Sequence, residues 1–324
     1  MDSEFDLIRH YFTRASTSVD LGIGDDAALF RVSPGQQLAV TSDMLVSGTH
    51  FFSDADPADL GWKTLAVNLS DLAAMGATPR WVLLALSLPR ADSAWLAAFS
   101  RGFFECAQTY QVALIGGDTT RGPLNLCVTA MGELPAGRAM VRSGAQAGED
   151  IWVSGQPGRA ALALQHLQGK QPLSDLAQAA FLPALHRPIP RVALGLALRD
   201  YASAALDVSD GLLGDLQHIL EASGCGAQID ANVLPLAALT AYGIEHSLAQ
   251  RAFLYGGDDY ELLFTAPASA RDSLAELALL QAVPLHRIGV LTPVPGELAL
   301  RLEDGALQAL QGRGFDHFSP LATV

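Results

Sequence analysis

The stretch LAVTSD, residues 38–43, decides how the rest of this sequence is interpreted. A short apolar run ends there in two hydroxyl side chains and a carboxylate. Such a run is typical of a buried strand, and oxygen atoms at its carboxyl end can act as ligands. We therefore predict a strand over residues 37–43 that carries Thr41, Ser42 and Asp43 to a functional site.

Four further aspartate clusters lie beside a glycine turn or an apolar run. Each one alone is often only a solvated turn or a helix N-cap. Together they predict one site, where the carboxylates would repel each other unless cations lay among them. Oxygen ligands without cysteine or histidine favour Mg²⁺ over zinc. The clusters are Ile23-Gly24-Asp25-Asp26, Asn68-Leu69-Ser70-Asp71, Ile115-Gly116-Gly117-Asp118 and Asp207-Val208-Ser209-Asp210-Gly211.

Composition narrows the class of protein. The chain has 324 residues, half of them hydrophobic, and a net charge of −14. This acidic balance argues against nucleic acid or an anionic membrane as the main partner. The three cysteines are too widely spaced for a disulfide framework or a zinc site. The amino-terminal residues do not resemble a signal peptide, so a cytoplasmic location is expected.

The order of patterns predicts two α/β domains, residues 1–137 and 148–324, joined by a Gly- and Ala-rich segment. In the first domain we predict a strand over residues 27–32, ahead of the strand at 37–43. A helix is predicted to begin at Pro57 and end near Met75, with Asn68 and Asp71 on one face. The remaining first-domain predictions are strands at 81–88 and 124–133, a helix at 93–109, and a strand ending in a Gly-Gly turn over 110–118.

Several nucleotide-binding and hydrolase signatures are absent from the sequence. It contains no P-loop, no dinucleotide-binding glycine motif after a first strand, and no nucleophile elbow. Phosphates would then be held mainly through metal ions, helped by Arg142 and backbone N–H groups near Gly116 and Gly117.

With these motifs in place, the chain resembles the thiamine-monophosphate kinase family over nearly its whole length. That family is related to aminoimidazole ribonucleotide synthetase and selenophosphate synthetase. The hydroxyl pair before Asp43 is Thr-Ser rather than the commoner Ser-Thr or Thr-Thr, and Asp258 stands where glutamate is commoner. The matching segments are LGIGDDAA (21–28), TSDMLVSGTHF (41–51), AVNLSDLAAMGA (66–77), LIGGDTTRG (114–122), VRSGA (141–145), LDVSDGL (206–212), GGDDYEL (256–262) and GFDHF (314–318).

The resemblance implies an α/β, aminoimidazole-ribonucleotide-synthetase-like fold with two domains. Its first domain would bind ATP and Mg²⁺ and pair its sheet with a second copy in a homodimer, and its second domain would be mixed α/β. By motif, the implied metal ligands are Asp26, Thr41, Ser42, Asp43, Asp71, Asp118, Asp207 and Asp210. The implied ATP contacts are Tyr110, Gly117, Asp118, Arg142 and Ser209. The implied contacts to thiamine monophosphate are His50, Asp258 and Phe315.

The implied reaction is ATP-dependent phosphorylation of thiamine monophosphate to thiamine diphosphate, by direct in-line transfer assisted by several Mg²⁺ ions. One alternative is another ATP-using relative, similar to aminoimidazole ribonucleotide synthetase. Another is a non-catalytic protein that binds divalent cations. The homodimer is also expected because the runs 81–88 and 124–131 are too apolar for exposed edge strands.

Overall fold

A computed structural model describes residues 4–14, 16–312 and 314–315. Contacts divide the chain into two compact units, Met1–Ala139 and Met140–Val324. Within the described ranges, no helix is long and apolar enough to cross a membrane.

The first unit is a four-stranded sheet, on which one long helix packs and a second helix packs against the first. The strand order is β1-β4-β2-β3, in which only β2 and β3 run parallel, joined through α3. A parallel pair needs such a crossover connection. The elements are α1 (Glu4–Leu7), continued by a π-helical turn (Ile8–Phe12), β1 (Gln36–Val46), α2 (Pro57–Ala74), β2 (Thr78–Leu88), α3 (Ser93–Thr109), β3 (Ala113–Arg121) and β4 (Asn125–Pro135).

Helix α2 begins and packs as its sequence indicates. The Asp56 carboxylate caps it by accepting hydrogen bonds from two backbone N–H groups, and proline follows at the first helical position.

Two glycines allow α2 and α3 to lie unusually close together. A Cβ on Gly61 would lie 2.1 Å from the Phe99 carbonyl oxygen, and one on Gly102 would lie 1.8 Å from that of Ala58. Any side chain at either position would force the helices apart.

The second unit is a seven-stranded mixed sheet of order β11-β10-β7-β9-β5-β8-β6 with a large buried aliphatic core. Its strands are β5 (Asp150–Ser154), β6 (Ala204–Asp207), β7 (Gly226–Asp230), β8 (Leu262–Ala266), β9 (Leu285–Thr292), β10 (Leu298–Arg301) and β11 (Leu307–Ala309). Its helices are α4 (Arg159–Leu167), α5 (Asp175–His186), α6 (Val192–Leu198), α7 (Leu212–Ser223), α8 (Ala237–Thr240), α9 (His246–Tyr255) and α10 (Arg271–Gln281).

Three expectations for the first unit are wrong. Residues 27–32 form no strand beyond one isolated bridge at Leu29, and Phe30 instead packs on Trp81. Gly116 and Gly117 lie inside β3 rather than in a turn. Strand β1 is not buried: it is an edge strand of the sheet, and Val40 is 58% exposed.

The expected reason for dimer formation is also wrong. Strands β2 and β4, which contain the apolar runs 81–88 and 124–131, occupy the two central positions of the sheet. Each is paired on both sides within the same chain, so neither needs a second copy to protect its edge. The homodimer itself stays a prediction.

Candidate active site

In the first unit, β1 and α2 bring two of the predicted ligand positions together. The Thr41 hydroxyl donates a 2.5 Å hydrogen bond to Oδ2 of Asp71. One turn earlier on α2, Asn68 Oδ1 accepts a 2.9 Å bond from the backbone N–H of Asp43. Residues three apart on a helix share a face, so the spacing of Asn68 and Asp71 suits them to bind one strand. The result is an oxygen-rich seam formed by Thr41, Asp43 and Asp71.

The side chain of Ser42 lies on the other face of β1. Its hydroxyl lies 3.1 Å from the Val128 carbonyl oxygen and 3.1 Å from Oγ1 of Thr129, both on β4. Successive side chains of a strand point to opposite faces. The Thr41 and Ser42 side chains therefore lie on opposite faces of β1, and metal binding by Ser42 stays a prediction.

Gly117 and Asp118 lie on β3, at the opposite edge of the sheet from β1. The pairing runs from Asp43 through Val128 and Leu84 to Gly117. Three interstrand spacings separate the ends of this row, about 14 Å in all. Gly117 has φ +147°, and a Cβ there would lie 1.9 Å from the Leu84 carbonyl oxygen, so only glycine fits. One copy of this sheet therefore does not bring Asp118 to the seam of Thr41, Asp43 and Asp71.

The other predicted residues of the first unit lie on three separate segments of the chain. Asp26 is exposed in a turn, where its N–H donates to the Asp25 carboxylate at 2.9 Å. His50 accepts a 3.0 Å hydrogen bond at Nδ1 from the backbone N–H of Val46, which closes the loop after β1. Tyr110, at the end of α3, packs edge-on against Trp62 at 6.4 Å between ring centroids.

In the second unit, the predicted ligands lie at the junction of β6 and α7. Asp207 ends β6 and is 9% exposed, whereas Asp210 is exposed in the turn that follows. The backbone N–H groups of Ser209 and Asp210 donate to Oδ2 of Asp215 at 3.0 and 3.2 Å. Burial, with a smaller contribution from the nearby Asp210 charge, raises the pKa of Asp215 to about 7. The Asp215 carboxyl group thus fixes the backbone of the turn that carries Asp210.

A second loop, residues 256–260, is joined to that turn by backbone hydrogen bonds. Asp258 N–H donates to the Ser209 carbonyl, and Tyr260 N–H to that of Val208, both at 2.8 Å. Phe315 N–H donates to the Asp210 carbonyl at 3.0 Å, and 49% of the Phe315 residue is exposed. The structure thus places Ser209, Asp210, Asp258 and Phe315 side by side. The rest of the GFDHF motif, Asp316, His317 and Phe318, lies outside the described residues.

Arg142 lies on an exposed segment before β5, where its carbonyl oxygen accepts a 3.1 Å hydrogen bond from the Ser223 hydroxyl. This bond ties its backbone to the end of α7. The neighbouring Gly144 has φ +116°, and a Cβ there would lie 2.7 Å from the Ser203 carbonyl oxygen. The segment is therefore fixed at both points.

Sequence interpretation missed three residues that organise the second unit's loops. Asp215 is an acidic residue in the first turn of α7, which is a common signal of a helix N-terminus. That signal could have indicated its role. Tyr260 and Glu261 lie in the GGDDYEL segment, but no pattern of neighbouring residues indicates their partners. Tyr260 donates its hydroxyl hydrogen to Asp258, and the buried Glu261 forms a bidentate pair with Arg191.

No three His, Cys, Asp or Glu side chains converge as a metal site within the part of the chain that the structure describes. This does not conflict with the predicted ion. Mg²⁺ is usually held by one or two carboxylates and completes its shell with water and substrate phosphates. The oxygen donors at Asp43 and Asp71, and at Asp207 and Asp210, have that composition.

Comparison with known proteins defines the class of protein to which this chain belongs. Residues 24–134 match the family model "AIR synthase related protein, N-terminal domain", and residues 141–299 match the corresponding C-terminal domain. The chain is thus an AIR synthase related protein with both domains. It is 48% identical to the thiamine-monophosphate kinase of Escherichia coli K12 over 321 residues, covering 98% of each chain. The chain belongs to the thiamine-monophosphate kinase family, which confirms the resemblance found in its motifs.

Solved structures agree in fold. The thiamine-monophosphate kinase of Stenotrophomonas maltophilia K279a matches with a TM-score of 0.81 and 51% identity, covering 89% of this chain and 92% of that one. A structure described as AaThiL complexed with AMPPCP and TMP matches with a TM-score of 0.76 and 28% identity, covering 94% and 93%. The predicted two-domain α/β fold class is confirmed.

Proposed function

We propose that this protein transfers the γ-phosphoryl group of ATP to thiamine monophosphate, forming thiamine diphosphate and ADP. The observation that carries the proposal is the 48% identity to a thiamine-monophosphate kinase over 98% of both chains. The related structure that holds AMPPCP, an ATP analogue, together with TMP supports the same pair of substrates.

Mg²⁺ is the proposed cofactor, because the candidate ligands in both units are oxygen atoms. Thr41, Asp43 and Asp71 would form one site, and Asp207 and Asp210 another. When bound, Mg²⁺ would neutralise the charge of the two phosphate groups that must meet. Asp26, Ser42 and Asp118 remain proposed ligands.

The protein's own residues would then bind and orient the two substrates. The proposed ATP contacts are Tyr110, Gly117, Asp118, Arg142 and Ser209, and the proposed contacts to thiamine monophosphate are His50, Asp258 and Phe315. The acceptor is a phosphate oxygen that is already ionised near neutral pH, so the reaction needs no strong general base. The assignment of nucleotide and metal binding to residues 1–137, and the cytoplasmic location, also stay predictions.

The direct test is to incubate the purified protein with ATP, MgCl₂ and thiamine monophosphate and to separate the products by chromatography. Equal amounts of thiamine diphosphate and ADP are expected. Release of inorganic phosphate without thiamine diphosphate would indicate a different ATP-using relative. Metal binding without any turnover would indicate a non-catalytic cation-binding protein. Either of these results would overturn the proposal.

The proposed homodimer rests on the exposed edge of the first unit's sheet. Strand β1 carries Leu38, Val40 and Met44, which are 37%, 58% and 52% exposed. All three occur at even positions and so lie on one face of the strand. A long edge strand with exposed apolar side chains promotes pairing with another chain. A second copy of the same sheet would cover this face.

Light scattering at micromolar concentration should therefore report twice the monomer mass of 34.1 kDa. Val40→Glu should shift the protein toward monomer, because a charge at the centre of the edge strand opposes pairing. Leu279→Glu is the matched control: Leu279 is 83% exposed on α10 of the other unit, and its replacement should leave the mass unchanged. A monomeric wild-type protein would contradict the dimer.

Phosphoryl transfer should be direct, without a phosphoenzyme. An aspartate could in principle form an acyl phosphate. The candidate carboxylates are proposed to bind metal, however, which engages their lone pairs. The test uses ATP that is chiral at the γ-phosphorus as the substrate. The configuration at this phosphorus should be inverted in the product. Retention, or a labelled protein trapped from ATP alone, would show that an aspartate acts as a nucleophile.

A further inference from the structure

The loop of residues 256–260 holds two non-glycine residues in the left-handed region of backbone space. Asp258 has φ +66° and Tyr260 has φ +52°. In the described part of the chain only two other non-glycine residues, Gln111 and Ala282, have positive φ. Side chains disfavour this region, and such residues persist where the surrounding structure holds them and often where a function needs them. Two of them within three positions mark this loop as unusual.

Backbone hydrogen bonds hold both residues in this conformation. The N–H groups of Asp258 and Tyr260 reach the carbonyl oxygens of Ser209 and Val208, each at 2.8 Å. Gly257, which precedes Asp258, allows this close approach, because a Cβ there would lie 2.4 Å from the Ser209 carbonyl oxygen. The loop is therefore anchored to the turn that carries Asp210.

This conformation brings the side chains of Asp258 and Tyr260 together. The Tyr260 hydroxyl donates a 2.9 Å hydrogen bond to Oδ1 of Asp258. Tyr260 is 8% exposed, whereas Asp258 is only partly buried. A buried phenol thus reaches from the core to a carboxylate that is accessible from the loop. The bond fixes the orientation of that carboxylate, and a hydrogen bond to a charged group is among the stronger kinds.

We propose that Tyr260 is a positioning residue, which holds the Asp258 carboxylate in place to contact thiamine monophosphate. This inference rests on the proposed function. An Asp258 carboxylate would repel the phosphate of the substrate and attract its cationic or hydrogen-donating part. The contact is therefore with the organic thiamine portion, and loss of the phenol should weaken binding of thiamine monophosphate without affecting ATP.

The test is Tyr260→Phe, which removes one oxygen atom and keeps the ring. The KM for thiamine monophosphate should rise roughly tenfold or more, the usual scale for a lost hydrogen bond to a charged group. The KM for ATP should stay within about twofold, since that substrate does not depend on the bond. Thermal unfolding measured on the same sample shows whether the variant is folded. Tyr242→Phe is the matched control, because it removes the same atom from a ring that packs against Phe181, at 5.0 Å between centroids.

A double-mutant cycle separates positioning from a general structural role. Asp258→Asn should itself raise the KM for thiamine monophosphate. Adding Tyr260→Phe to Asp258→Asn should then change this KM by less than about twofold, because the phenol acts through the carboxylate. Additive effects, or equal increases in both KM values, would overturn the inference.

The outcomes also distinguish this inference from the proposed function. If the wild-type protein forms no thiamine diphosphate, the proposed function fails and the inference fails with it. If the wild-type protein is active and Tyr260→Phe has wild-type KM values, the inference alone is overturned. If only the KM for thiamine monophosphate rises and the cycle is non-additive, both stand.

Discussion

Asp43→Asn is expected to lower turnover by about 100-fold or more, with little change in folding stability. The substitution removes a charge that we propose binds Mg²⁺ but keeps the size of the side chain. The hydrogen bond from Asp43 to Asn68 of α2 is donated by the backbone N–H of Asp43, so the substitution leaves it intact. The loss should therefore appear in kcat, measured at saturating ATP, thiamine monophosphate and Mg²⁺, and not in the unfolding midpoint.

Asp54→Asn is the matched control for this experiment. Asp54 lies in an exposed loop of the same unit, outside the candidate site, and the change removes the same charge from the same unit. Its turnover should equal that of the wild-type protein. A folded Asp43→Asn variant with nearly wild-type turnover would mean that Asp43 does not bind the catalytic metal.

Arg191→Met should be the most destabilising of the substitutions considered, lowering the free energy of unfolding by roughly 3–5 kcal/mol. Arg191 donates from Nε and Nη2 to the two carboxylate oxygens of Glu261, at 2.6 and 2.5 Å. Ser154 donates a third hydrogen bond to Glu261, which is only 6% exposed. Without Arg191, the buried Glu261 charge would lose the guanidinium that neutralises it. Urea unfolding followed by circular dichroism measures the effect.

Two further variants show whether the buried charge is the cause. Glu261→Gln added to Arg191→Met should recover part of the lost stability, because no buried charge then remains. Arg90→Met breaks a pair with Asp92 whose side chains are 80% and 35% exposed, and it should cost less than about 1 kcal/mol. If Arg191→Met costs no more than Arg90→Met, the buried pair does not stabilise the second unit.

Local elements could be predicted from the sequence because their signals lie within a few residues of each other. The helix at 93–109 occurs as predicted, and the strand predicted at 124–133 occurs at Asn125–Pro135. The helix that begins at Pro57 ends at Ala74, with Gly76 at φ +67° just beyond it. Capping, proline placement and hydrophobic periodicity are properties of neighbouring residues, so one chain segment contains all the information.

The prediction of a strand at 27–32 was wrong because it too rested only on neighbouring residues. An apolar run indicates that a segment is buried, but it does not indicate which residues the segment packs against. Phe30 satisfies that requirement by packing its ring on Trp81, at 4.5 Å between centroids, without pairing in the sheet. Short apolar runs are therefore ambiguous on their own.

The sequence by itself determined most helices and strands of the first unit, the oxygen chemistry of the candidate ligands and, through its motifs, the family. Only the tertiary structure decided that β1 and β3 are opposite edges of one sheet, which separates Asp43 from Asp118. It also decided that the Tyr260 phenol meets the Asp258 carboxylate and that Arg191 pairs with Glu261 across 70 residues. Strand order and buried ion pairs depend on contacts between residues that are distant in sequence. The pattern of residues around one position does not indicate which distant residue it will contact.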